Sequence, residues 1–201
     1  MVNKIVNSVS CYHCFHCFNC FHCFLVSQRM NLFILSLIPC EVAEAMMDKH
    51  IVKIILEAVQ MLCSARRILL PDDDEGNAPL YKIAHKNHPV TIWCRESQAN
   101  FIWTLDLIDE MHKEWQYRYD HPETKIHKSY MVAQYLREHL PDASLFPQAR
   151  LTPFAQAMPD QYKCEDAVQA YRNYYMSEEK QKIATWNKKR AAPAWYIKNV
   201  K

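Results

Sequence analysis

The chain has 201 residues, 50% hydrophobic and 23% charged, enough for one globular domain with a core but too few for two comfortable ones. It holds one glycine, Gly76, which excludes the dinucleotide fingerprint, the phosphate-binding loop and the nucleophile elbow, and disfavours a β-sandwich with many hairpins. The formal charge is +2; once Lys4 and Arg29 are set aside, cations equal the 22 acids from residue 30 onward, so charge argues only through its distribution.

Residues 1–29 hold Cys11, Cys14, Cys17, Cys20 and Cys23 at a period of three, interleaved with His and Phe. Cys-x-x-Cys spacing suits zinc or an iron–sulfur cluster. A perfect repeat without a separate second ligand pair reads instead as low-complexity sequence, of the kind repeat DNA ahead of a start at Met30 would encode. This head is expected to be disordered or not native, and its apolar content is too interrupted for a spanning helix. Residues 30–201 form the single expected domain. Its cysteines, Cys40, Cys63, Cys94 and Cys164, are scattered among apolar neighbours like free thiols in a reducing compartment, which predicts an intracellular protein.

The expected fold is mainly α, a compact helical domain of about four main helices. Leu32 to Leu37 is a short apolar run that fits one N-terminal strand or the first turn of a helix equally well. The spacing predicts helices over 41–70, 90–119, 125–140 and 165–186, punctuated by Pro71, Pro89, His121-Pro122, Pro141 and the proline-rich stretch 147–159. Residues 71–77, Pro-Asp-Asp-Asp-Glu-Gly-Asn, read as a solvated acidic loop.

Three features carry chemistry. On the first long helix His50, Lys53, Glu57, Gln60 and Ser64 recur at steps of three and four and share a line between wide apolar flanks. Such a row either meets solvent through a narrow face or lines a pocket. In a pocket, His50, Lys53 and Glu57 would combine an imidazole, an amine and a carboxylate with shifted ionisation. The second feature is His85-Lys86-Asn87-His88-Pro89 ahead of Trp93, Arg95, Glu96, Asn100 and Trp103, a loop-to-helix junction suited to a phosphate. The third is the C-terminus, where seven cations from Lys180 to Lys201, among them Lys188, Lys189 and Arg190, interleave with Trp186, Trp195 and Tyr196 and no acid intervenes. Cations on phosphates and aromatics on bases are the elements of a nucleic-acid edge; a solvated tail is the plain alternative.

From Met30 to about Lys198 the chain resembles an uncharacterised family of small proteins of large DNA viruses and phages. The residues that carry this are Met30-Asn31-Leu32-Phe33-Ile34-Leu35, Asp48-Lys49-His50 with Lys53 and Glu57, His85 to Pro89, Trp93 with Arg95-Glu96-Ser97 and Asn100, Tyr117-Arg118-Tyr119, and Thr152-Pro153-Phe154-Ala155-Gln156-Ala157-Met158-Pro159. More distantly the order of elements is similar to pyrimidine-dimer DNA glycosylases, compact helical enzymes that flip a base and cleave its glycosidic bond. That resemblance implies an α-amine after the initiator methionine as nucleophile and a glutamate on the first helix, nearest to Asn31 and Glu57.

Because Asn31 is internal to the sequence, Lys53, or Lys49 beside it, is the expected Schiff-base amine if burial lowers its pKa. Glu57 would then stabilise the charged sugar or move a proton. Trp93 and Trp103 would receive the flipped base or fill the gap it leaves. The expected partner is DNA; no cofactor or metal is needed. Two other classes remain: a metal-dependent phosphohydrolase using Asp48, His50, Glu57, His85 and His88, with Arg95 for the phosphate, and a non-catalytic nucleic-acid-binding module relying on the tail.

Overall fold

The computed structural model describes residues 30–71 and 78–196, so the Cys/His-rich head and most of the acidic loop lie outside the described residues. Seven α-helices are present among them: α1 (Pro39–Ala45), α2 (Asp48–Leu69), α3 (Pro89–Cys94), α4 (Gln98–Arg118), α5 (Lys128–Glu138), α6 (Ala167–Tyr175) and α7 (Glu178–Gln181). Short 3₁₀ turns stand at Ala143–Leu145 and Asp160–Tyr162. The mainly α fold is as expected, but three of the four predicted helices are interrupted, and the one predicted over 125–140 is shortened to Lys128–Glu138.

The first break separates α1 from α2 at Met46 and Met47, both extended and fully buried. No proline or glycine marks it. Its cause is Arg118, at the far end of α4, whose guanidinium donates to the carbonyls of Met46 (2.7 Å), Glu44 (2.9 Å) and Ala43 (3.3 Å), so a buried side chain satisfies the C-terminal carbonyls that the ended helix leaves open. The second break splits the predicted 90–119 helix at Arg95–Ser97. There the Ser97 hydroxyl accepts the Asn100 N–H at 3.0 Å and caps α4. The last predicted helix stops at Tyr175; α7 follows, and beyond it the chain runs without regular structure to Tyr196.

No strand ladder forms among the described residues; an isolated bridge pairs Ser97 with Gln148. Leu32 to Leu35 is buried, as an N-terminal strand would be, but Phe33 has φ 53°, outside the extended region, and the segment takes no strand partner. Its side chains fill the core instead.

The helix α2 is the axis of the domain. It packs on α3, α4 and α5, while α1 lies against α4. Ile51, Ile54, Ile55, Ala58, Val59, Met61 and Leu62 are buried from α2, against Phe101, Leu105, Leu107, Ile108 and Met111 of α4 and Leu136 of α5. The proline-rich connection is tied down by single side chains. Asn100 donates to Thr152 Oγ1 at 2.7 Å and accepts the Thr152 N–H at 3.0 Å, while the Tyr171 hydroxyl accepts the Ala157 N–H (3.2 Å) and donates to Ala155 O (2.7 Å). No described helix is long and apolar enough to cross a membrane.

Candidate functional site

The polar row on α2 divides. Lys49, Val52, Lys53 and Leu56 form the exposed stripe, and His50 and Glu57 lie buried at its edge. Gln60 is half-buried, and Ser64, fully buried, accepts the Ala84 N–H at 3.0 Å and donates to Ala84 O at 2.9 Å, which pins residues 80–85 to the helix. The row is therefore neither a solvated face nor the lining of one pocket. A cavity of about 380 Å³ opens elsewhere, between Leu35, Ser36, Glu41, Arg172, Arg190 and Trp195.

At Glu57 the chain brings distant residues together. Its Oε2 accepts the backbone N–H of Asn31 at 3.1 Å, and Lys53 Nζ stands 3.2 Å from Oε1. The Glu57 side chain is 7% exposed and that of Lys53 is 63% exposed. Burial raises the Glu57 pKa above the usual carboxylate value; Lys53, the Asn31 N–H and Lys180 oppose the rise without cancelling it. Asn31 is itself immobilised, donating from its amide to Ala157 O at 2.6 Å and accepting the Leu32 N–H at 2.9 Å.

One turn before Lys53, His50 is buried with its ring stacked on Phe33 at 4.4 Å, and its Nδ1 lies 2.8 Å from the Tyr175 hydroxyl, which also accepts the Met47 N–H at 3.1 Å. Burial, then the charges of Lys180 and Lys53, hold the His50 pKa down at about 3. Burial thus favours the neutral imidazole. The role expected of Lys53 also changes: exposed, it lacks the burial that would activate its amine. The more enclosed amine is Lys180, partly buried, whose pKa is lowered first by that burial. Composition had placed Lys180 only as one more cation of a basic tail; the signal that distinguishes it is contact with Phe33 and Tyr174, invisible to spacing.

In the second cluster the aromatic and amide residues are structural. Trp93, Trp103 and Phe154 pack on one another at 4.8 to 5.9 Å, and the indole N–H groups donate to Thr152 O (3.4 Å, Trp93) and Leu37 O (3.1 Å, Trp103). Both rings are buried, at 2% and 8% exposure, and pack within the core. Asn100 also donates to Trp93 O at 2.7 Å, and Glu96 accepts from Thr152 at 3.0 Å. His85 and Lys86 are exposed, His85 at φ 50°, and Arg95 donates to Lys86 O at 2.7 Å. His88 is buried and accepts the Val90 N–H at 3.2 Å as the cap of α3. Burial, then the charge of His85, lowers its pKa to about 4 against a bond with the Met30 backbone, which sets His88 one residue from Asn31.

From Lys188 to Trp195 the basic tail lies docked against the body; Lys198 and Lys201 lie outside the described residues. Arg190 bonds Glu114 at 2.8 and 2.9 Å and Glu44 at 3.1 Å. Lys189 pairs with Asp120 and lies over the Tyr117 ring, and Lys188 lies over Tyr119 at 5.7 Å. Trp195 is covered on one face by the Arg172 guanidinium at 5.1 Å. The cations expected to meet phosphate thus already face acids and rings of the body. Asp48 of the proposed metal set is likewise bound, to Arg118 at 3.1 Å and to the Asn187 N–H at 2.7 Å. Among the described residues no group of three or more His, Cys, Asp or Glu side chains converges as a metal ligand set.

No family model, curated protein or solved structure matches the chain.

Proposed function

We propose that the protein is an intracellular DNA-acting enzyme of the glycosylase and abasic-site lyase type, with Glu57 as its central carboxylate. One observation carries the reading. The likeness to pyrimidine-dimer DNA glycosylases selects Asn31 and Glu57, 26 residues apart in sequence, and these two meet at 3.1 Å. Lysine amines flank the same carboxylate, Lys53 by contact and Lys180 through its field.

Such a set can run amine-dependent lyase chemistry. An amine attacks the aldehyde of an abasic sugar, and a carboxylate whose pKa is raised by burial can hold a proton for the departing oxygen and later remove one from carbon. The backbone N–H of Asn31 fixes the carboxylate in place. DNA as the substrate class comes from the resemblance. The intracellular setting is read from Cys40, Cys63, Cys94 and Cys164, scattered along the sequence in the manner of free thiols.

The test is incubation of the full chain with duplex DNA bearing one abasic site, with and without borohydride. The expected result is strand cleavage without the reductant and a covalent protein–DNA adduct with it. Absence of both rules the lyase out.

A further inference from the structure

We propose that Lys180 is the amine that attacks the substrate carbonyl and forms the imine at this site. The assignment rests on the lyase reading above and adds to it the identity of the nucleophile.

Lys180 lies on α7, just after the Ser177 cap, whose hydroxyl accepts the Lys180 N–H at 3.3 Å. That turn sends the side chain inward. Its ammonium stands 5.0 Å from the centre of the Phe33 ring and 4.9 Å from that of Tyr174. The Lys180 side chain is 13% exposed, and the carboxylate near it, Glu179 at 3.9 Å, is 73% exposed and solvated. The ring faces hold the ammonium in place, while its withdrawal from water and the nearby Lys53 charge disfavour the charged form and so favour the nucleophilic amine. Burial lowers the Lys180 pKa and the Lys53 charge adds to the effect, against Glu179 and Glu57. Lys53, in water and in contact with Glu57, has no such setting.

Phe33 supports the arrangement. A phenylalanine at φ 53° is costly unless its surroundings hold it there. The ring is stacked on His50, set edge-on to Tyr175 at 5.2 Å, and buried. The strained residue thus presents one rigid ring to two groups of the site, His50 and Lys180. Neutral His50 is part of the same logic, since a second cation under Phe33 would be buried without a partner.

The chemistry balances without an oxidant or reductant. Lys180 loses a proton to water, and its lone pair forms a bond to the aldehyde carbon of the ring-opened abasic sugar, while the carbonyl π pair moves to oxygen. That oxygen takes a proton, and the other nitrogen proton and the C–O bond are lost as water leaves, giving the protonated imine. Glu57 is placed to supply the proton and, as carboxylate, to take one from the carbon next to the imine. The electron pair released there expels the 3′ phosphate, and water returns the amine by hydrolysis.

The experiment is borohydride reduction of the full chain with abasic-site DNA, followed by proteolysis and mass mapping of the modified residue. Lys180→Arg, which keeps the charge but removes the nucleophile, is measured in parallel. The expected result is an adduct on Lys180 and a loss of trapping of about 100-fold or more in Lys180→Arg. An adduct on Lys53, or on any other amine, overturns the assignment and leaves the lyase reading standing. Absence of any adduct or cleavage removes both. Mapping on the unaltered chain decides the matter even if the variant does not fold.

Discussion

Two charge clusters meet the N-terminal half of α2, one at Asp48 and one from His50 to Glu57, and they are built differently. Around Arg118 each charge is matched. Its guanidinium makes five hydrogen bonds, to Glu114, Asp48 and three carbonyls, and Arg190 completes Glu114 from the outside. Around Glu57 the groups share a field but few bonds: one backbone N–H, one exposed lysine, a lysine among rings and a neutral histidine. A saturated cluster joins α1, α2, α4 and the tail. An unsaturated one leaves proton positions that are easily changed, which is what a reactive site requires.

The largest effect expected is therefore structural. Arg118→Ala removes one partner from a buried ion network and frees the carbonyls that end α1, and it should cost about 3–5 kcal/mol in urea unfolding. A loss under about 1 kcal/mol would show that the break at Met46–Met47 has another cause. Next comes Asn100→Ala, which leaves the Thr152 N–H without a partner and takes from the Trp93 carbonyl one of its two donors, the Glu96 N–H being the other, and should cost about 1–3 kcal/mol in the same measurement.

A smaller effect distinguishes the clusters by sign. Burial tends to raise the Glu114 pKa, but the bonds and charges of Arg190 and Arg118 outweigh it, and the net shift is downward. Its ionised form stabilises the fold above the usual glutamate value of 4.5, and that contribution is lost as pH falls through the lower folded value. Glu57 is shifted upward from 4.5, so the folded state holds its proton more tightly, and its contribution is present at acid pH and lost as pH rises through the folded value. Urea unfolding across that range should show the advantage of wild type over Glu114→Gln shrinking with acid. The advantage over Glu57→Gln should grow. Equal slopes would mean that the two carboxylates are held alike.

A pH effect confined to acid conditions concerns His50. Burial holds its folded pKa at about 3, below the ordinary imidazole value of 6.5, so the unfolded chain binds more protons between these values and stability falls as pH drops through that window. Below both values no further loss comes from this group. His50→Gln should flatten the slope between them; an unchanged slope would place the acid sensitivity elsewhere.

The sequence made part of this visible. Spacing located His50 and Glu57 on one helix face, because three-four periodicity survives whatever packs outside it. It misjudged Lys53, since the exposed stripe is rotated to include Val52 and Leu56, apolar residues left in water that no hydropathy pattern would choose. The Arg95–Ser97 break was legible in Ser97, a good helix cap three residues before Asn100. The Met46–Met47 break was not, because its cause is Arg118, about 70 residues away. Trp93 and Trp103 suited stacking on a base or on one another, and composition cannot choose between these. Lys180 was hidden among cations that mostly face solvent or acids; only the fold carries it to Phe33.

The most direct test compares the two glutamates. Cleavage of abasic-site DNA is measured for Glu57→Gln and Glu114→Gln at a temperature where both are folded. The account predicts that Glu57→Gln loses about 10²–10⁴-fold in rate while Glu114→Gln, though less stable, cleaves within a few-fold of wild type. Equal losses in both, or full activity in Glu57→Gln, would contradict it.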